Sequence, residues 1–341
     1  MIQYNTRPFI EKIAARNANM NLIYTICSIN YLAQAFTLGQ SIQKTNPDFR
    51  FVIGLMDKFV DKPPIDLAQY GNPEIILVED IGIDDFAGMC HRYNITELNT
   101  AVKPYFALHF FGAYPEVQNV IYLDPDIIVY QPLTHLLQNL EDNNVVITPH
   151  ICSPYNDEKR LNEEDHCNSG IYNLGFVAMH RAPETTRFLE WWAERLRTKC
   201  KMDFKNGMFV DQLWINLAPV FFEKVRVEKH LGYNVAYWNL HERKVNQRGD
   251  QYWVNDQYEL QFFHFSGYNI NAPEVLSVHQ DRFQLSDRPD IQPLFAQYRN
   301  TMAQNGQAFF KQFRCSYIKE SKRTKFNFWV GHTLDKFFGW R

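Results

Sequence analysis

The sequence lacks any uninterrupted run of 18 apolar residues, which excludes an ordinary membrane-spanning helix. It lacks a Cys-x-x-Cys pair. Its six cysteines (Cys27, Cys90, Cys152, Cys167, Cys200 and Cys315) stand singly, a pattern of reduced thiols and not of a disulfide framework or structural zinc site. The opening stretch contains Glu11 and has no apolar h-region, so it does not read as a secretory signal. A short leading helix over 1–20 and a cytoplasmic location are expected. Net charge is nearly absent too: 35 basic against 38 acidic side chains leave −3, which argues against a protein that coats nucleic acid. Internal repeats and low-complexity segments are missing.

Aromatic residues are abundant, with 27 Phe, 18 Tyr and 7 Trp, and 45% of residues are hydrophobic. A chain of 341 residues with this composition buries a substantial core and is not disordered. The charge is unevenly spread. Residues 311–341 carry eight basic and two acidic side chains, so the first 310 hold a net −9. Between 309 and 341 the basic residues alternate with Phe, Tyr and Trp. That mixture suits either an anionic bilayer surface or a helix folded back on the body.

Apolar, β-branched runs mark strands at 22–28, 49–57, 75–79, 119–123, 127–130, 171–179 and 259–265. Helices are expected over 30–44 with Asn30 as cap, and over 98–111, 183–199 and 209–218. Alternation of strand and helix predicts an α/β fold with a mixed, mainly parallel sheet flanked by helices. The polar stretch 152–169 reads as a substrate-ordering loop. The expected organisation is a catalytic domain at 21–290 and a helical, basic and aromatic extension at 291–341.

Asp124-Pro125-Asp126 ends an apolar strand. Two carboxylates leaving the carboxyl edge of a sheet suit one hard divalent cation, although the same three residues also favour a plain turn. His264-Phe265-Ser266-Gly267 ends another apolar run. An imidazole beside two carboxylates shifts preference from Mg²⁺ toward Mn²⁺. Gly267 would let the backbone approach a phosphate. A core histidine beside a turn glycine is the alternative.

In this order the motifs resemble family 8 glycosyltransferases, a retaining group of GT-A fold that includes bacterial lipopolysaccharide glycosyltransferases and glycogenin. The resemblance spans roughly residues 22–273. It implies that Cys27, Ser28, Asn30 and Tyr31 form the turn that holds a nucleotide base. It implies further that Lys103 reaches the donor's sugar and phosphate. Asp124, Asp126 and His264 would bind the metal, with Gly267 completing the His-x-x-Gly pattern. Asn173, in Tyr172-Asn173-Leu174-Gly175-Phe176, would shape the sugar site. Asp211 would bind donor hydroxyls, and Gln212 would lie beside the anomeric carbon.

The resemblance thus implies a metal-dependent glycosyltransferase that uses Mn²⁺ or Mg²⁺ and a nucleotide-sugar donor, with a UDP-sugar favoured. The expected acceptor is a glycan or lipid-linked saccharide of bacterial surface polysaccharide synthesis. The expected site of action is the inner face of the plasma membrane, approached through 309–341, with no nucleic acid as partner. An inverting enzyme would need a carboxylate base, for which Asp211, Asp165 and Glu164 are candidates. A sugar nucleotidyltransferase would show a Gly-rich phosphate loop after the first strand, where this chain reads Cys27-Ser28-Ile29-Asn30-Tyr31. A glycan-binding protein without activity would not need metal ligands at separate strand ends. Tyr237, Trp238 and His241 read either as an acceptor-sugar platform or as packing.

Overall fold

The computed structural model describes residues 20–60 and 62–318. The expected leading helix and the extension from 319 onward lie outside the described residues. The principal sheet has seven strands, and a short pair stands beside it. In chain order the strands are β1 (Met20–Cys27), β2 (Arg50–Leu55), β3 (Glu74–Leu77), β4 (Val117–Leu123), β5 (Ile127–Val129), β6 (Val145–Pro149), β7 (Tyr172–His180), β8 (Val225–Val227) and β9 (Phe262–His264). Across the principal sheet the order is β8-β6-β7-β4-β1-β2-β3, with only β7 antiparallel to its neighbours. The fold is therefore α/β with a mainly parallel sheet, as expected.

Central strands are covered on both faces, which is why they read as continuous apolar runs rather than as alternation. From β1, Leu22, Tyr24 and Ile26 enter one core with Phe106, Phe110 and Trp192. Ile23 enters the opposite core with Leu38 and Leu136. The covering helices are α1 (Leu32–Thr45), α2 (Ile95–Ala101), α3 (Lys103–Ala113), α4 (Thr134–Asp142), α5 (Glu163–Ser169), α6 (Pro183–Lys199), α7 (Gln212–Ile215) and α8 (Gln292–Gln304). Each large side chain buried this way contributes about 1.5–3 kcal/mol. Among the described residues no helix is long and apolar enough to cross a membrane.

Several elements differ from expectation. The helix expected over 98–111 is two helices that meet at Val102. Pro104 at the start of α3 has no N–H to donate, so α2 cannot run through it. The run 259–265 also divides, because Leu260 bonds the carbonyl of Tyr252 whereas His264 pairs with Ile127 of β5. The helix expected over 209–218 shrinks to α7, followed by a separate turn of helix at Ala218–Phe221. Asn30 does not cap α1 but lies inside a 3-10 turn, Ile29–Tyr31.

Residues 291–318, expected to belong to an extension, pack onto the body. α8 buries Leu294, Phe295, Tyr298 and Met302. Phe310 is fully buried, with its ring 5.7 Å from Phe36 and 5.8 Å from Tyr70. The polar loop 152–162 is held by Arg282, which bonds both oxygens of Asp157 and the carbonyls of Lys159 and Leu161.

Candidate active site

Strands β1 and β4 run parallel and β7 antiparallel to them, so the end of β1, the end of β4 and the start of β7 share one sheet edge. A cleft of about 320 Å³ opens there. Cys27, Ser28, Asn30, Tyr31, Lys103, Asp124, Asp126, Asn173, Asp211, Gln212 and His264 all line it. Of the expected site residues, only Gly267 does not. Its φ of +72° and the close packing of Ser277 and His279 make it a turn glycine just behind the cleft.

At one end, Ser28 Oγ donates to Asn30 Oδ1 at 2.6 Å, which fixes the turn after β1. The Ile29 N–H donates to Asp57, a fully buried carboxylate. Tyr31 leaves 46% of its surface exposed and offers an aromatic face at the rim.

Asp124 and Asp126 follow β4. The Asp124 N–H donates to the Gly175 carbonyl at 2.8 Å. Its Oδ1 accepts the Tyr122 hydroxyl at 2.6 Å, which leaves Oδ2 facing His264. Pairing of β5 with β9 sets His264 opposite Ile127, so its Nε2 lies 3.0 Å from Asp126 Oδ1 and 3.7 Å from Asp124 Oδ2. One ligand atom from each of Asp124, Asp126 and His264 lies within 4.8 Å of the others. Two carboxylates and an imidazole converging at this spacing fit a divalent cation of the Mg²⁺–Mn²⁺ type. Burial pushes the His264 pKa down, but Asp126 and Asp124 outweigh it and hold the ring above its usual value. Burial pushes Asp126 up, yet His264 holds it below the usual carboxylate range.

Lys103 is almost entirely buried. Its Nζ donates to the Leu174 carbonyl at 2.8 Å, pairs with Asp211 Oδ2 at 3.0 Å and lies 3.7 Å from Asp124 Oδ1. It also sits 4.5 Å from the centre of the Tyr122 ring. Burial lowers its pKa, but Asp211 and Asp124 together raise it above the ordinary value. Asp211 is raised by burial, which Lys103 opposes. The lysine thus joins two carboxylates inside the protein. Behind it, the Asn173 amide donates to Gln212 Oε1 at 3.2 Å and to His150 Nε2 at 3.1 Å.

A second cleft of about 540 Å³ adjoins the first and shares Asn173, Phe209, Gln212 and Ser266 with it. His150 and His166 line it as neutral rings, held down by burial to about 3 and about 4. Tyr237 and Trp238 line it as well, but Trp238 is buried and packs edge-on against the His264 ring at 5.2 Å. His241 lies outside this cleft, its ring 4.2 Å from that of Tyr155.

Reading by motif passed over Tyr122, Gly175 and Asn234. Tyr122 had a signal: it stands two residues before Asp124, on the same side of the strand. Gly175 is a glycine because a β-carbon there would stand 2.4 Å from His264 Cε1 and 2.8 Å from Asp124 Oδ2. Gly175→Ala is therefore expected to weaken Mn²⁺ binding by at least about tenfold while the fold survives, by analogy with loss of a ligand-orienting group. Titration of Mn²⁺ into the variant checks this, and wild-type affinity would refute it.

The chain is a glycosyltransferase of GT-A fold, as the match to its family shows. The model of glycosyl transferase family 8 matches residues 22–221, more than half of the chain, and the chain belongs to that family. It is 24% identical over 303 residues to the uncharacterized protein YfnF of Bacillus subtilis (strain 168), covering 88% of this chain and 98% of YfnF. A second protein of that organism, YfnD, is 23% identical over 199 residues, covering 58% of this chain and 61% of YfnD. Among solved structures, the chain is similar to the galactosyltransferase LgtC in complex with donor and acceptor sugar analogs. There the TM-score is 0.48 at 16% identity, over 82% of this chain and 95% of LgtC. It is also similar to the glycosyltransferase GlyE of Streptococcus pneumoniae TIGR4, with a TM-score of 0.43 at 14% identity, over 89% of this chain and 66% of GlyE.

Proposed function

We propose that the enzyme transfers a sugar, with retention, from a UDP-sugar to a glycan or lipid-linked saccharide of bacterial surface polysaccharide synthesis. The observation that carries this reading is the convergence of Asp124, Asp126 and His264 in the same cleft as the Ser28–Tyr31 turn and the Lys103–Asp211 pair. In this reading Asp124, Asp126 and His264 hold a divalent cation, Mn²⁺ or Mg²⁺. When bound, it would neutralise charge developing on the leaving diphosphate.

The chain's own groups do the rest. Asn30 and Tyr31 hold the base. Asp211 and Asn173 orient the sugar so that the acceptor hydroxyl meets the anomeric carbon beside Gln212. Lys103 keeps Asp124 and Asp211 at a set separation. The 540 Å³ cleft, which meets the donor cleft at Gln212, takes the acceptor. Retention is favoured because two of the three candidate bases are engaged elsewhere, Asp211 with Lys103 and Asp165 with the Asn162 N–H at 3.1 Å in a capping box, which leaves Glu164 as the base an inverting reaction would need.

A panel of nucleotide sugars with Mn²⁺ tests the reading. At 100 times its Kd the true donor should stabilise the fold by about 2.7 kcal/mol, seen as a raised Tm, and should be slowly hydrolysed. A panel that neither stabilises the protein nor turns over would overturn it.

A further inference from the structure

We propose that Asn234 is a positioning residue that orients the metal-binding imidazole and couples it, through Asn173, to Gln212. This rests on the reading of Asp124, Asp126 and His264 as a cation site. Asn234 has no exposed surface. Its side-chain oxygen accepts from His264 Nδ1 at 3.2 Å. Its side-chain nitrogen donates to Thr148 Oγ1 and to Asn173 Oδ1, each at 3.0 Å. Both donors and the acceptor of the amide are thereby engaged, and a buried amide keeps such an arrangement because an orphaned group costs free energy.

The direction of the amide has two consequences. With Nδ1–H committed to Asn234, Nε2 is the ring nitrogen turned to the cation site, where it faces Asp126 Oδ1 at 3.0 Å. A cation bound there would take the place of the Nε2 proton and meet a pre-oriented nitrogen. The Asn234 amino group, together with the Gly175 N–H, holds Asn173 Oδ1 at 3.0 Å, and the Asn173 amino group is thereby turned toward Gln212 Oε1 at 3.2 Å. The cation site and the residue beside the reacting carbon are therefore aligned by one hydrogen-bond chain, His264–Asn234–Asn173–Gln212. The backbone adds a second reason for this residue type. Asn234 has φ +51°, a region asparagine enters more readily than branched side chains do, and its carbonyl accepts from Asn239 Nδ2 at 2.9 Å.

Two substitutions separate the halves of the proposal. Asn234→Asp keeps an acceptor for His264 Nδ1–H but cannot donate to Asn173. It should bind Mn²⁺ about as tightly as wild type while kcat for donor hydrolysis falls. Asn234→Ala removes both functions and should weaken Mn²⁺ binding by roughly 10–100-fold. Asn234→Ser, whose hydroxyl is too short to reach the ring, replaces the alanine variant with the same expectation if that variant does not fold. Mn²⁺ affinity is read by electron paramagnetic resonance of free Mn²⁺ without any nucleotide sugar, after circular dichroism has shown each variant folded. Wild-type affinity in the alanine or serine variant, or equal loss in Asn234→Asp, would overturn the positioning role. Unchanged kcat in Asn234→Asp would overturn the coupling to Gln212. A wild-type protein that binds no Mn²⁺ would instead sink the cation-site reading, and this proposal with it.

Discussion

Asp126→Ala is expected to lower Mn²⁺-dependent turnover of the donor by roughly a thousandfold and to abolish measurable Mn²⁺ binding. The size follows from the chemistry at stake. A divalent cation opposite a developing charge supplies several kcal/mol, and about 1.4 kcal/mol corresponds to a factor of ten in rate. Asp126 Oδ1 is the carboxylate oxygen nearest to His264 Nε2, at 3.0 Å against 3.7 Å for Asp124 Oδ2. Its loss removes the group that chiefly holds the His264 pKa up against burial, so the ring should titrate lower in the variant. Turnover assays with and without Mn²⁺, paired with a metal titration, check the result. Unchanged affinity and rate would take Asp126 out of the ligand set.

Lys103→Met is expected to destabilise the fold by about 3–5 kcal/mol at neutral pH, because it leaves the buried Asp211 carboxylate without its partner. The effect has a direction in pH. Burial already places the Asp211 pKa above its ordinary value, and Lys103 opposes that shift. Removing Lys103 raises it further. A carboxyl whose folded pKa exceeds its unfolded pKa binds more protons when folded, so its stability contribution falls as pH rises through that window. The variant should therefore regain part of its stability in mild acid, above the ordinary carboxylate range. Urea unfolding at pH 5 and pH 7.5 measures this. Stability equal to wild type at pH 7.5, with the same pH slope, would show that the pair matters little.

Part of this site was legible from residue types, and the rest only through the family resemblance. Asp124-Pro125-Asp126 follows a strand whose apolar run is unmistakable, and a sheet with mostly parallel strands places such ends on one edge. Lys103 was legible as a site residue, but not for what it touches. The resemblance implies a cation next to the donor, whereas the structure shows Nζ held by Leu174, Asp211 and Asp124. Asn234 carried only the weak signal of a Gly-Tyr-Asn turn, because its importance comes from partners at Thr148, Asn173 and His264. Tyr237, Trp238 and His241 illustrate the same limit. As neighbours in sequence they read either as one platform or as packing; Tyr237 and Trp238 both line the second cleft, Trp238 buried against His264, whereas His241 packs on Tyr155.

By itself, the sequence determined the α/β class, the run of buried strands and the carboxylates at a strand end. These follow from local periodicity and from the rule that strands buried on both faces read as unbroken apolar runs. Only the tertiary structure decided that His264 meets Asp126, that Gly175 leaves room for that meeting, and that Asn234 turns the ring toward it. The physical reason is that these contacts depend on the β5–β9 register and on backbone hydrogen bonds between segments distant in the chain. Every residue except proline carries the same backbone donor and acceptor, so side-chain pattern records which strands are buried but not which strand lies opposite which.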